Sequence, residues 1–282
     1  MAEVLPDTGK VGATTGQRFA FGENWNSFLA GLDDVRIAEA EKSLQWLLGR
    51  ERFDGLSFVD IGSGSGLSSL AARRLGARVL SFDDDPRSVE CTVTLRRRFF
   101  SDDPNWSVER GSILDRNYLA KLGRFDVVYS WGVLHHTGAM HKAIENASIL
   151  VDTGGTYVIA LYRKTRLCWA WNLEKRWYYQ ASSRAQSAVR TLYLDFMRVA
   201  FVLSRRNFND YKSNYRGNRG MDLDHDIHDW LGGYPYESIR PTDVAKELTK
   251  LGFEHQRSKV RPYSLGLFGS GCDEYVYRRV AG

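Results

Sequence analysis

From residue 56 onward, short apolar runs alternate with segments of helical period. Residues 56–61, 78–82, 106–110, 125–130 and 155–162 read as strands, and residues 66–75, 86–99, 115–122 and 139–150 read as helices between them. This alternation predicts an α/β fold, a doubly wound and mostly parallel sheet with helices on both faces. Right-handed crossovers then gather the loops after strands one, two and four at one edge of the sheet.

The pattern differs on either side of this stretch. Residues 1–16 are rich in Gly, Thr and Pro and are expected to be flexible. Phe19, Phe21, Trp25 and Phe28 follow, then a helical period from Asp33 to Leu48, with Gly49 placed to stop it. The aromatics have two readings, packing beneath that helix or a lid over a ligand. From Arg163 to about Arg240 the alternation stops, and aromatic and basic residues accumulate in what reads as a helical insertion. It resumes with a helix opened by Pro241 and ending near Gly252, then candidate strands at 253–260 and 273–279 separated by Gly266, Gly269 and Gly271. The expected organisation is an N-terminal segment and lid (1–50), a core (51–162), a helical cap (163–240) and a return to the core (241–282).

Composition narrows the class. With 282 residues, 43% hydrophobic and 26% charged, the chain can bury one full core, and it reads as soluble and globular. A formal net charge of +5 is too modest to suggest a nucleic-acid partner. Cys91, Cys168 and Cys272 are scattered and form no C-x-x-C pair, which suits a reducing cytoplasm and argues against disulfides or a zinc cluster. Met1–Lys10 lack the regions of a signal peptide, and the run Leu192–Leu203 is too short and too charged to span a bilayer. The expected localisation is therefore cytoplasmic.

The chemistry concentrates in Phe58-Val59-Asp60-Ile61-Gly62-Ser63-Gly64-Ser65-Gly66-Leu67, a strand ending near an acid, three alternating glycines, and a helix start. A second strand ends at Asp83, placed to take both hydroxyls of a ribose. The G-x-G-x-G spacing differs from the dinucleotide fingerprint, and Asp60 would repel a pyrophosphate while suiting an ammonium. A nicotinamide cofactor is disfavoured on both counts.

At these residues the chain resembles the class I S-adenosylmethionine (SAM)-dependent methyltransferases. Phe82–Val89 is similar to that family's second motif, and Gly123–His136 to its fourth strand and following loop. Leu150–Ala160 is similar to its turn into strand five, with Thr153 where the family usually has proline. The resemblance covers roughly residues 53–162 and is closest to the ubiquinone-biosynthesis-type methyltransferases and their uncharacterised bacterial relatives. It implies a Rossmann-like sheet closed by an antiparallel strand pair, SAM as cofactor, and a small-molecule methyl acceptor, most simply a hydroxyl. N- or C-methylation of a sugar or natural-product intermediate, and a catalytically silent SAM-fold binding protein, are the alternatives.

Carried over residue by residue, the resemblance assigns Asp60, Gly62, Ser63, Gly64 and Gly66 to the first motif. It makes Asp83 the ribose acid, with Asp84 and Asp85 as alternatives or helix caps. Ser112 and Ile113 fall at the adenine contact, where Ser112 replaces the usual acid, and Trp131 at the methionine end. His135 and His136 follow strand four, where a histidine is either a general base or packed in the loop. Residues Gly220–Glu237 resemble a segment of a bacterial subset of the family. Within it, His225 and Asp229 would share a helical face as a base oriented by a carboxylate, and His225 is the favoured base. The same charges could instead form a solvated face or hold a divalent cation, and no metal is assigned. Asp226, Tyr234, Trp25 and Phe19 are the candidate acceptor contacts. The Trp- and Arg-rich stretch 163–179 reads either as a solvated helix or as a peripheral membrane anchor. Oligomeric state stays open.

Overall fold

The computed structural model describes residues 31–215, 223–262 and 264–280, together with Trp25 and Leu29. The first helix, α1 (Asp34–Leu48), starts where the Asp33 carboxylate accepts the Arg36 amide at 2.9 Å. It stops at Gly49, whose φ of 64° completes a left-handed cap that a residue with a Cβ would strain. Ile37, Ala40, Leu44 and Leu47 recur at helical spacing and form its buried face.

The core alternates as expected: β1 (Ser57–Ile61), α2 (Leu67–Arg74), β2 (Arg78–Asp83), α3 (Pro86–Phe100), β3 (Trp106–Arg110), α4 (Arg116–Leu119), β4 (Phe125–Trp131), α5 (Met140–Ile149) and β5 (Val151–Tyr162). A helical cap follows, α6 (Cys168–Tyr178), α7 (Ser183–Leu203), α8 (Phe208–Asn214) and α9 (Leu223–Gly232). Then come α10 (Pro241–Lys250), β6 (Phe253–Lys259) and β7 (Cys272–Arg279).

The sheet has seven strands in the order β3-β2-β1-β4-β5-β7-β6. The first five pair in parallel, and β7 pairs antiparallel with both β5 and β6. Strand order reverses between β1 and β4, the position at which open α/β sheets bind ligands. Side chains alternate across the pleat, so each strand contributes to two layers. Phe58 and Val127 pack with Leu44, Leu70 and Leu95 on one face. Val59 and Val128 pack with Ile144, Val244 and Leu248 on the other.

Two elements differ from the periodicity reading. The helix expected over 115–122 is a single turn, capped by the Asp115 carboxylate. Strand β5 begins at Val151 rather than residue 155, because the glycine turn folds into the strand. A Cβ on Gly155 would lie 2.9 Å from the Asp152 carbonyl and 3.1 Å from those of Phe125 and Asp126.

The cap has its own core, with Tyr178, Met197, Phe208, Leu223, Ile227 and Leu231 buried together. Its return strand is tied to the sheet edge. The Ile239 amide donates to the Tyr162 carbonyl at 3.0 Å, and the Lys164 amide donates to the Ile239 carbonyl at 2.9 Å. The Glu237 amide donates to the His135 carbonyl, while the Glu237 carboxylate accepts the Met140 amide at the start of α5. The segment before α10 is thereby held over the carboxyl ends of β4 and β5. Among the described residues no helix is long and apolar enough to cross a membrane.

Candidate active site

A cavity of about 770 Å³ opens at the carboxyl edge of the sheet and extends beneath the cap. One end is built from the β1–α2 loop, where Gly62, Gly64 and Gly66 have φ of 73°, 54° and 79°. Only glycine takes these angles without cost. The loop also lies close to its neighbours. A Cβ on Gly62 would meet Val133 Cγ1 at 2.4 Å, and one on Gly64 would meet the Trp25 indole nitrogen at 2.9 Å.

Asp83 holds this loop in place. Its Oδ2 accepts the Gly64 amide and its Oδ1 the Asp85 amide, both at 3.0 Å. Asp85 caps α3 by accepting the Arg87 amide, and Asp83, Asp84 and Asp85 all line the cavity. Asp60 is buried at the end of β1. A directed chain of hydrogen bonds ends on it: Trp106 Nε1 donates to Ser81 Oγ, Ser81 to Ser69, and Ser69 Oγ to Asp60 Oδ2 at 2.5 Å. Burial pushes Asp60 up to about 7, with the Ser69 hydrogen bond opposing, and pushes Asp83 up to about 6, with the Gly64 and Asp85 amides opposing.

Ser63, Ser112, Ile113 and Trp131 also line the cavity, and Trp25 closes over Gly64. Trp131 is oriented by donation from its Nε1 to Glu274 at 3.1 Å. Phe19, Phe21 and Phe28 lie outside the described residues.

The far end of the cavity lies under the cap, and here the sequence-level candidates separate. Asp226, Asp229 and Tyr234 line it, and so does His136. His225 and His135 do not. The lining on α9 centres on Leu223, Asp226, Ile227 and Trp230 with Asp229 at its margin, and His225, about 40° further round the helix than Asp229, lies just outside it. On the side opposite the cavity, His228 takes contacts from Tyr178 Oη and Arg190, each at 3.0 Å. His135 is fully buried with its ring 3.9 Å from that of Tyr162, and burial lowers its basicity well below the usual imidazole range. It reads as packed in the loop, whereas His136, one residue on, faces the ligand space.

His136 Nδ1 is 2.8 Å from the Pro235 carbonyl. A carbonyl only accepts, so Nδ1 carries the proton and the lone pair of the neutral ring sits on Nε2. Asp226 is anchored from the side by Tyr215 Oη at 2.7 Å. The remaining wall includes Tyr162, Tyr193, Met197, Tyr211, Arg261 and Phe268, none of which was singled out from sequence. The signal available was spacing: Tyr193 with Met197 on α7, and Tyr211 on α8 with Tyr215 at its C-cap, recur at i, i+4.

Behind this wall sits Lys175, fully buried on α6. Its Nζ has no hydrogen-bond partner among the described residues and lies 3.6 Å from the Trp230 ring centroid. Burial pushes it down to about 7, opposed by Glu174. Between about 7 and the unfolded value near 10.4, the unfolded chain binds a proton that the folded chain does not. Stability conferred by this group therefore rises with pH across that window. Lys175→Met removes an unpaired buried amine, whose cost is about 1–3 kcal/mol, and keeps the volume. The expected result is a Tm raised by a few degrees at pH 7 and loss of the rise above it, read by calorimetry at several pH values. An unchanged pH slope would show that Lys175 stays charged in the fold.

A Methyltransferase domain profile matches residues 52–201, more than half of the chain. A ubiquinone biosynthesis O-methyltransferase from Methylobacterium sp. is 30% identical over 118 residues, covering 42% of this chain and 45% of that protein. The mitochondrial ubiquinone biosynthesis O-methyltransferase of Arabidopsis thaliana is 32% identical over 119 residues, 42% and 36% of the two chains. The chain thus spans about half or less of the length of these relatives. Among solved structures, magnesium protoporphyrin IX methyltransferase from Synechocystis PCC 6803 with bound S-adenosylhomocysteine (SAH) shares the fold. Its TM-score is 0.52 at 15% identity, covering 87% of this chain and 84% of that one. With the matched profile, the sheet order and the glycine loop in agreement, the chain belongs to the class I SAM-dependent methyltransferase family.

Proposed function

We propose that this protein transfers a methyl group from SAM to a hydroxyl of a small, aromatic-faced acceptor. The observation that carries this reading is the continuity of one cavity. The glycine loop and Asp83 stand at one end, and His136, Asp226 and Asp229 stand at the other.

SAM fits the first end. At Gly62 and Gly64 the loop presents backbone with no side chain to the cavity, and the acids Asp60 and Asp83 suit an ammonium and a ribose but not a pyrophosphate. Asp83 takes the ribose hydroxyls, Asp60 favours the amino group, Ser112 and Ile113 border the adenine, and Trp131 walls the methionine end. When bound, SAM supplies a methyl group on a sulfonium, already electrophilic. The protein's share is alignment, exclusion of water and removal of the acceptor proton. Tyr162, Trp230 and Tyr234 supply flat apolar surface for the acceptor. His136 Nε2 takes the hydroxyl proton, and the resulting imidazolium keeps its Nδ1–H on the Pro235 carbonyl. Residues 163–240 act as the acceptor-side cap over the 51–162 core, with 241–282 completing the sheet; of the lid expected over residues 1–50, Trp25, which closes over Gly64, is among the described residues.

A screen of SAM consumption against phenols, quinols, amines and sugars tests the acceptor class. Phenolic or quinolic hydroxyls are expected to be methylated. Turnover confined to amines would replace the reading with N-methylation.

The raised carboxyls add a pH prediction. In the free protein Asp60 and Asp83 hold protons to about 7 and about 6. A ligand that donates hydrogen bonds or brings a positive charge favours their ionised forms, so binding expels protons. SAM and SAH affinity should therefore rise from about pH 5 to about pH 8. Titration calorimetry in two buffers of different ionisation enthalpy measures the release, and no net proton loss at about pH 6 would contradict it.

A further inference from the structure

Helix α7 has two apolar faces, and only one is used internally. Tyr193 and Met197 line the cavity. On the other side Leu192, Phe196, Val199 and Leu203 recur at spacings of four, three and four, and are 70%, 48%, 56% and 80% exposed. The loop before β7 extends this stripe. Phe268 stacks on Phe196 with ring centroids 4.7 Å apart, and Leu267 beside it is 55% exposed. Tyr193 Oη donates to the Phe268 carbonyl at 2.9 Å and ties the loop to the helix. Phe268 also lines the cavity, so apolar surface runs without a break from solvent to the cavity wall. Soluble proteins rarely leave a contiguous face of this kind uncovered.

Charge selects what covers it. Residues 163–206 contain ten Lys and Arg against Glu174 and Asp195, a net of +8, whereas the whole chain is +5 and its remainder therefore −3. Arg184, Arg198, Arg205 and Arg206 on and just beyond α7 are all exposed. A second copy docked through this same face about a two-fold axis would set like charge against like. An anionic bilayer meets both features, because acyl chains receive the stripe and headgroup phosphates receive the arginines. The helix cannot cross the bilayer, since no described helix is long and apolar enough. It can lie in the interfacial plane.

We propose that the exposed face of α7, with the Leu267–Phe268 loop, is a docking surface for an anionic lipid bilayer. The cavity wall formed by Tyr193, Met197 and Phe268 then abuts the membrane, and an acceptor partitioned into the headgroup region has a short apolar route inward. The surface is independent of the methyl-transfer reading, and its test needs no turnover.

The test is co-sedimentation of the full chain with phosphatidylcholine vesicles, with and without phosphatidylglycerol, at low and high salt. Sedimentation is expected with the phosphatidylglycerol vesicles at low salt and is expected to weaken with salt. A Leu192→Ser/Val199→Ser/Leu203→Ser triple variant and an Arg205→Gln/Arg206→Gln double variant should each lower the partition coefficient at least about tenfold. SAH affinity, which reports the fold and the cofactor end, should be unchanged in both. The proposal is overturned if the wild-type chain stays in solution with anionic vesicles at low salt, or if the triple variant sediments like wild type. It is also overturned if sedimentation velocity shows a dimer that the triple variant abolishes while vesicles bind neither protein. That result would assign the face to a second copy.

Discussion

Replacing Asp83 by Ala is expected to weaken SAM and SAH binding by roughly ten- to a hundredfold while the protein remains folded. Two losses combine. A hydrogen bond to a charged carboxylate contributes about 1.5–3 kcal/mol, and the ribose hydroxyls would lose theirs. The Gly64 and Asp85 amides, now bonded at 3.0 Å, would also lose the group that holds the glycine loop against β2. Asp83→Asn separates the two. It keeps an acceptor oxygen for one amide but removes the charge, so it should fall between wild type and Asp83→Ala. Titration calorimetry with SAH, checked by a thermal melt, measures both. Unchanged SAH affinity in a folded Asp83→Ala protein would rule Asp83 out as the ribose acid and direct attention to Asp84.

His136→Ala is expected to lower kcat by about a hundredfold or more with little change in SAH affinity, the pattern for loss of a general base. His136→Gln is the closer control, since its side-chain amide can still donate to the Pro235 carbonyl but takes no proton. Equal loss in both variants assigns the effect to proton transfer rather than to packing against Gly233, where a Cβ would come within 2.4 Å of the His136 ring. The pH–rate profile of either variant should lose its lower limb. His225→Ala should retain most turnover, because α9 carries that side chain off the cavity. The reverse outcome, full turnover in His136→Ala and loss in His225→Ala, would move the base to His225.

Much of this was legible before any coordinates. Strand and helix alternation fixes the sheet because burial on both faces demands apolar runs. Glycines in G-x-G-x-G and acids at two strand ends mark the cofactor side because so few other residues tolerate that backbone or suit that ligand. The acceptor side was legible only as a segment. His225 and His136 are both candidate bases in sequence, and choosing between them needs the rotation of α9 about its axis. Packing of Leu223, Ile227 and Leu231 into the cap core sets that rotation, and no local pattern encodes it. His135 and His136 are neighbours in sequence, yet a single tight turn buries one against Tyr162 and leaves the other facing ligand space. The tyrosines of α7 and α8 had visible helical spacing, but their inward face depends on how the cap folds onto the sheet edge. The chain from Trp106 to Asp60 was invisible for the same reason, since its members come from three strands and one helix.

The most direct test is to incubate the protein with SAM carrying a deuterated methyl group and a panel of phenols, and to locate the label by tandem mass spectrometry. The expected result is deuterated methyl on a phenolic oxygen, with SAH formed in equal amount and both lost together in His136→Ala. SAM bound but no label on any acceptor oxygen across the panel, or label found only on nitrogen or carbon, would contradict O-methyl transfer in this cavity.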